Sequence, residues 1–483
     1  MAIRSAVLFI GFLLVFAAMP TVAVGVESRP NFVFIIGDDI SWDDLGCYGN
    51  QVIETPNIDR LAREGRIFDR AYLTASSCSP TRCSIVTGRY PHNTGAPELH
   101  TPLPEGQFMF PQALRETGYY TVLSGKQHMG AAVQPAFDHI SPGKGPGKEG
   151  DWVQTLRDRP RDRPFFCWFA AYDAHRDWQT TDDARRYSPE EVPVPPYLYD
   201  GPRTRQDLAH HYHEVSRLDR FVGKVREELE QQQIAEQTYI IFCADNGRPF
   251  PRCKTRLYDG GIRTPFIVWR PDKVTPGRSN SLISVIDLAP TILQLAGAPL
   301  DDRLQGVSFA PVLENLQAIV RDFAFAEHNW HVGQAHERML RTERWLFIRN
   351  AWPERQHLCA EANAEYPAGA ELYEAHEQGF LNERQQDVFL ESRPAEELYD
   401  VVADPHQLRN LAGVSQLQGT LKELRSLLDA WSKETGDSVP AKATPDDRDW
   451  FGRKLPGFAR GEMPGTVHGA AGITRPGPIR QPN

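Results

Sequence analysis

The sequence predicts an α/β fold: a large mixed, mainly parallel sheet sandwiched by helices, plus a smaller C-terminal α+β domain with an antiparallel sheet. Three observations predict it. Apolar runs too continuous for a strand with one wet face recur through the first half of the chain. Amphipathic helical patterns alternate with them. From about residue 320 the texture changes to short β-rich stretches and a single helix.

The first element is the run at 32–36 in PNFVFIIGDDISWDDLGCYGN, which reads as a strand buried on both faces. TPNIDRLAREG (55–65) reads as a helix, with a Thr cap and Pro in its first turn. FPQALRETGY (110–119) is a helix ending at Gly118, and TVLSGK (121–126) is the second strand. PFFCWFAAYDAH (164–175) is the third. A long amphipathic helix covers 207–232, and TYIIFCADNG (238–247) and PFIVW (265–269) are further strands. SVIDLAPTILQLAG (284–297) is a helix that stops at Gly297. Beyond it, RMLRTERWLFIRN (338–350) and EELYDVVADPHQLRNLA (396–412) carry short antiparallel strands and a turn, and 418–435 is a helix. The expected organisation is a signal peptide over 1–24, a catalytic domain over 29–325, a C-terminal α+β subdomain over 326–435 and a Pro/Gly-rich tail over 436–483.

Composition narrows the function. Of 483 residues 41 % are apolar, enough for a substantial core, and the formal net charge is −10. No basic stripe interrupts that balance, so nucleic acid is not an expected partner. An anionic substrate has to be met by a local cluster of cations. The N-terminus begins with Arg4 and a nearly all-apolar stretch over 6–18, followed by small residues near Thr21–Ala23. That is the pattern of a secretory signal, too short for a membrane span. An exported protein, periplasmic or extracellular (lysosomal in a eukaryote), is expected, with no stable span after cleavage. Seven cysteines do not make a disulfide framework in a chain of this length.

Polar residues gather just after the strands. Asp38 and Asp39 follow the first, Lys126 and His128 the second, His175 the third, and Asp245 and Asn246 the fourth. Open α/β sheets build their sites beyond the carboxyl ends of strands, so these segments are expected to converge. Adjacent carboxylates need a cation to coexist in a confined site. Three carboxylates and an amide oxygen make an all-oxygen set suited to Ca²⁺ or Mg²⁺. Arg82, Lys126, His128, His175 and Lys254 could hold a tetrahedral oxyanion and move its protons. Arg252 and Arg256 compete with Lys254 for its role. For a sugar, the stretch FAEHNWHVGQAHER (325–338) offers His328, Asn329, Trp330 and His331, with His100 and Arg176 as further candidates.

SSCSPTRCSIVTGR (76–89) carries Cys78 and Cys83 five apart. The residues alone allow a disulfide, a metal clip, two packed thiols or one reactive cysteine. Pro80 fixes the turn leaving Cys78, and 82–87 read as the first turns of a helix. Cys78 is thereby put near a helix N-terminus, where an anion is favoured.

Here the chain resembles a family. C-x-P-x-R followed by T-G-R resembles the signature of type I sulfatases, within the alkaline-phosphatase-like superfamily. NFVFIIGDD, TPNIDRLAREG, LRETGYYTVLSGKQH, PFFCWFAAYDAH, CADNG, LYDGGIRTP, SVIDLAPTILQLAG and ELYDVVADPHQLRNLA are similar to sulfatase blocks in family order, over about residues 30–430. DNGRPFPRCKTRLY, PHNTGAPELH and DAWSKETGD look most like heparan N-sulfatases.

The resemblance implies that Cys78 is oxidised to formylglycine by a formylglycine-generating or anaerobic sulfatase-maturating enzyme. It implies one calcium ion on Asp38, Asp39, Asp245, Asn246 and residue 78, and a sulfate surrounded by Arg82, Lys126, His128, His175 and Lys254. A hydrated aldehyde would attack sulfur with one hydroxyl and expel sulfate through the other. Gln127 stands where the family often has Trp, and Cys83 where it often has a small residue. The implied activity is hydrolysis of sulfate from a sulfated saccharide, with N-sulfated glucosamine the finer expectation. The alternatives are an O-sulfatase on another polysaccharide, a phosphodiesterase or phosphonate hydrolase of the superfamily, and an inactive calcium-stabilised sulfoglycan-binding protein.

Overall fold

The computed structural model describes residues 29–357 and 359–481, so the expected signal peptide over 1–24 lies outside the described residues. One sheet contains β1 (Asn31–Gly37), β2 (Arg66–Tyr72), β3 (Tyr120–Gly125), β4 (His139–Ser141), β5 (Phe165–Ala170), β6 (Thr238–Ala244), β7 (Phe266–Trp269) and β8 (Gly277–Ser284). Their order is β4-β3-β5-β1-β6-β7-β2-β8, and only β7 runs antiparallel to its neighbours. The second sheet, β12-β11-β10-β9, is antiparallel throughout, formed by β9 (Ala324–His328), β10 (Glu337–Arg341), β11 (Trp345–Asn350) and β12 (Glu396–Asp400).

The continuous apolar runs have a direct cause. β1 lies between β5 and β6 with helices over both faces. Phe32, Phe34 and Ile36 enter one core, and Val33 and Ile35 enter the other. Successive side chains point to opposite faces of a strand, so the interior of a doubly covered strand is apolar at successive positions, with the buried polar Asn31 and Thr238 confined to the strand starts and paired to each other. β2 and β8 escaped the sequence reading because neither has such a run. β2 is interrupted by Asp69 and Arg70, and the edge strand β8 opens on GRSNS.

The helix Pro202–Gln231 begins ahead of the expected 207, with Pro202 in its first turn, where a missing N–H costs nothing. Leu208, Tyr212, Val215, Leu218, Val222, Val225 and Leu229 form its buried stripe at three- and four-residue spacing. In the small domain the helix Gln418–Thr435 buries Leu421, Leu424, Leu428 and Trp431 against Phe325, Leu340, Phe347 and Leu398.

The 325/326 division falls inside β9, all of which pairs with β10. The two sheets are stitched just ahead of the cysteine segment: the Glu327 N–H donates to Thr74 O at 2.8 Å, and Ala75 bridges Glu327. The described part of the tail is an extended wrap. Arg89 donates to Ala471 O at 2.9 Å, Asn93 to Ala470 O at 2.7 Å, and the Trp330 indole to Pro445 O at 2.7 Å. All seven cysteines are free thiols, so Cys78 and Cys83 are not a disulfide. Among the described residues no helix is long and apolar enough to cross a membrane.

Candidate active site

The carboxyl ends of β1, β3, β5 and β6 meet in one buried cluster. Asp38, Asp39, Asp245 and Asn246 are wholly excluded from solvent. Cys78 is the first residue of the helix Cys78–Thr87, behind Ser77 as N-cap, with its Sγ 3.7 Å from Asp38 Oδ1. Arg82, one turn later, lies on the same helical face. It donates through Nε to Asp245 Oδ2 at 2.8 Å and through Nη1 to Lys126 O at 2.8 Å. Lys126 Nζ meets Asp38 Oδ2, and Lys254 Nζ meets the Asp39 carboxylate at 2.8 Å. His128 Nε2 lies 2.7 Å from His100 Nδ1. His175 bonds through Nδ1 to the carbonyl of Arg176 and is one of the positive groups acting on Asp39. Asp39, His100 and His128 all hold positive φ, near 56°, 61° and 54°, a conformation non-glycine residues adopt mainly where surrounding structure enforces it.

The electrostatics follow from packing these charges without water. Burial pushes the Asp245 carboxyl up and Asp38 beside it pushes the same way, against the pull of Arg82. Burial also opposes the charge on Asp39, but Lys254 and His175 overcome it and hold that carboxyl below its usual range. Burial pushes the Cys78 thiol up despite Lys126 and Lys254. It pushes His128 down to about 2, reinforced by Lys126 and Arg82, so this imidazole is neutral at pH 7.

The donors fit a hard divalent cation. Oxygens of Asp38, Asp39 and Asp245 and the Cys78 sulfur lie within 4.8 Å of one another. Asn246 Oδ1 is buried without a hydrogen-bond partner, while its Nδ2 meets Asp39 Oδ1. An unpartnered buried amide oxygen among crowded carboxylates is a donor suited to a hard cation.

The structure decides between the three cations of RCKTR. Arg252 turns away to His406 O at 2.9 Å and lies over the Tyr258 ring, and Arg256 reaches His357 O at 3.1 Å. Only Lys254 enters the cluster. Gln127 folds back on its own loop, its Oε1 accepting from the Met129 N–H at 2.9 Å.

Four of the six sugar candidates are otherwise engaged: Arg176, His328, Trp330 and Asn329, whose amide donates to Glu327 at 2.9 Å. Arg176 forms a two-pronged pair with Asp207, both bonds 2.7 Å, and its buried guanidinium donates twice more to Pro249 O. His328 Nδ1 is taken by Glu337 at 2.6 Å, and Arg393 crowds the same carboxylate at 3.7 Å. Trp330 is covered by the tail, with Phe458 against its ring and Arg460 5.0 Å above it. His100 stays beside the cluster, and so does His331, which bonds Ser77 Oγ at 2.7 Å, next to Cys78. One residue not in the sequence-derived set adjoins the site: Glu361 lies 3.7 Å from Lys254 Nζ. Glu361 carried no signal, since its segment joins the site only through the fold.

Comparison with known proteins adds to this geometry. Residues 30–140 and 151–298 match the family model described as Sulfatase, and 253–358 match one described as N-sulphoglucosamine sulphohydrolase, C-terminal. An ulvan-active sulfatase of Formosa agariphila is 30 % identical, over 86 % of this chain and 76 % of that protein. The N-sulphoglucosamine sulphohydrolase of Homo sapiens is 29 % identical, over 87 % and 93 %. A solved structure described as bound to its substrate D-glucosamine-2-N,6-O-disulfate superposes with a TM-score of 0.64 at 20 % identity, covering 84 % of this chain and 98 % of that one.

Proposed function

The chain belongs to the sulfatase family, and we propose that it removes the N-sulfate of glucosamine at the Cys78 cluster. It is a sulfatase that hydrolyses sulfated carbohydrate. The observation that carries the finer reading is the match of residues 253–358 to the C-terminal region of N-sulphoglucosamine sulphohydrolases.

A formylglycine made from Cys78 supplies the nucleophile: a hydrated aldehyde with one hydroxyl to attack sulfur and a second to expel sulfate. A calcium ion held by Asp38, Asp39, Asp245 and Asn246 would polarise the attacking hydroxyl. The remaining chemistry belongs to side chains. Asp245, raised by burial and Asp38, takes the proton of the attacking hydroxyl. Arg82, Lys126 and Lys254 balance the charge on the sulfuryl oxygens. His175 delivers a proton to the leaving nitrogen as the N–S bond breaks. His128 is placed to take the proton from the second hydroxyl, so that sulfate leaves and the aldehyde returns. The N-terminal pattern supports export, and maturation would need a separate oxidising enzyme.

The test is a desulfation screen on the matured protein, with the residue-78 peptide first checked to be about 18 Da lighter than its cysteine form. Release of sulfate from N-sulfoglucosamine in preference to 2-, 3-, 4- and 6-O-sulfated sugars is expected. No release from N-sulfoglucosamine removes this reading. The second reading, an O-sulfatase on another sulfated polysaccharide, draws on the likeness to an ulvan-active sulfatase, and release from O-sulfated sugars alone would establish it.

A further inference from the structure

We infer that Glu361 is a specificity-determining residue that receives the nitrogen side of the substrate and favours a sulfamate over a sulfate ester. The inference rests on the proposed N-sulfate reading.

Glu361 sits in the short turn Ala360–Ala362, contributed by the segment between β11 and β12. It is 5 % exposed. Its Oε1 lies 3.7 Å from Lys254 Nζ, and its Oε2 lies 3.7 Å from Arg176 Nε and makes no hydrogen bond. Both cations have closer partners: Lys254 holds Asp39 at 2.8 Å, and Arg176 holds Asp207 at 2.7 Å. A buried carboxylate oxygen without a donor is costly unless something else supplies one. The unpaired oxygen lies beside Arg176, the residue that follows His175, and the other oxygen of the same carboxylate faces Lys254, which reaches the cluster.

That position matches the chemistry of the leaving group. When the N–S bond of a sulfamate breaks, the electron pair stays on nitrogen, which takes one proton from His175 to give the neutral amine and a second from solvent to become an ammonium at neutral pH. A carboxylate can accept a charge-assisted hydrogen bond from those N–H groups. When a sulfate ester is cleaved, the product is a neutral alcohol with no such charge. The same carboxylate also repels a further sulfate brought to that side.

A structural role alone would be to steady Lys254, and the two roles separate by substrate. Glu361→Gln keeps the shape and removes the charge. The matured enzyme and this variant are assayed on N-sulfoglucosamine and on 4-methylumbelliferyl sulfate, an aryl ester whose leaving group needs no protonation. The expected result is a loss of about ten- to a hundred-fold in kcat/KM on the sulfamate, with the ester changed less than about two-fold. Inhibition by free glucosamine should weaken in parallel, because the product carries the ammonium. Equal loss on both substrates, or no loss on the sulfamate, overturns the inference while leaving the substrate reading in place. A wild-type enzyme that cleaves the ester and not the sulfamate overturns both. Glu361→Ala, with unchanged thermal stability as the folding control, repeats the measurement without the side chain.

Discussion

Arg82 Nε donates to Asp245 Oδ2 at 2.8 Å, and neither side chain meets solvent. The pair joins the helix that begins at Cys78 to the end of β6, so it ties Cys78 to the carboxylates. Removing one member leaves a buried unpaired charge. Arg82→Met is expected to cost about 3–5 kcal/mol in urea unfolding of the metal-free protein. The double variant Arg82→Met with Asp245→Asn should cost less than the sum of the two single variants.

The two cysteines of the helix should separate cleanly. Cys78→Ala abolishes turnover. Cys83 lies 0 % exposed in the main core, so Cys83→Ala keeps kcat and lowers stability by about 1 kcal/mol through the small cavity it opens. Sulfate release and the thermal midpoint measure the two effects.

Calcium should stabilise the folded chain. At a free concentration a hundred times its Kd, the gain is about 2.7 kcal/mol, read as a rise in thermal midpoint that EDTA reverses. Asn246→Leu removes the orphaned amide oxygen and should abolish the calcium-dependent part of that rise.

The three cations of RCKTR should differ in kind. Lys254→Met is expected to lower kcat/KM by about a hundred-fold or more, the usual loss of a charge-stabilising donor. Arg252→Met should act on stability, because Arg252 ties His406 O to the Tyr258 ring outside the cluster. Paired kinetic and unfolding measurements distinguish them.

Acid should destabilise the protein through histidines remote from the carboxylate cluster. Burial pushes His328 down to about 4 and His336 to about 3. Each stays neutral when folded and takes up a proton on unfolding below about pH 6.5. The unfolded chain then binds more protons, so stability falls as pH drops from about 6.5 towards 4, by about 1.4 kcal/mol per pH unit for each histidine. Unfolding free energies between pH 7 and 5 should show this slope, and His336→Asn should reduce it by one proton.

Much of the architecture was legible because burial on both faces of β1, β5 and β6 leaves only apolar side chains acceptable in their interiors. The reading failed at β2 and β8 for the converse reason, since strands near the sheet edge tolerate Asp69, Arg70 and the GRSNS opening. The site was legible where a residue's neighbours in sequence set its direction. Cys78 and Arg82 share a helical face because they are four apart, and the carboxylates follow strands that must end at one edge of the sheet.

The sequence by itself therefore determined the chemistry: a cysteine at a helix start, an all-oxygen donor set and cations for a tetrahedral anion. Only the tertiary structure decided which candidates serve it. Arg176 was claimed by Asp207, His328 by Glu337 and Trp330 by the tail, while Lys254 was turned inward and Glu361 was brought beside it. Charged and hydrogen-bonding side chains go to whichever partners the fold delivers, and those partners lie tens to hundreds of residues away, where local sequence carries no record of them.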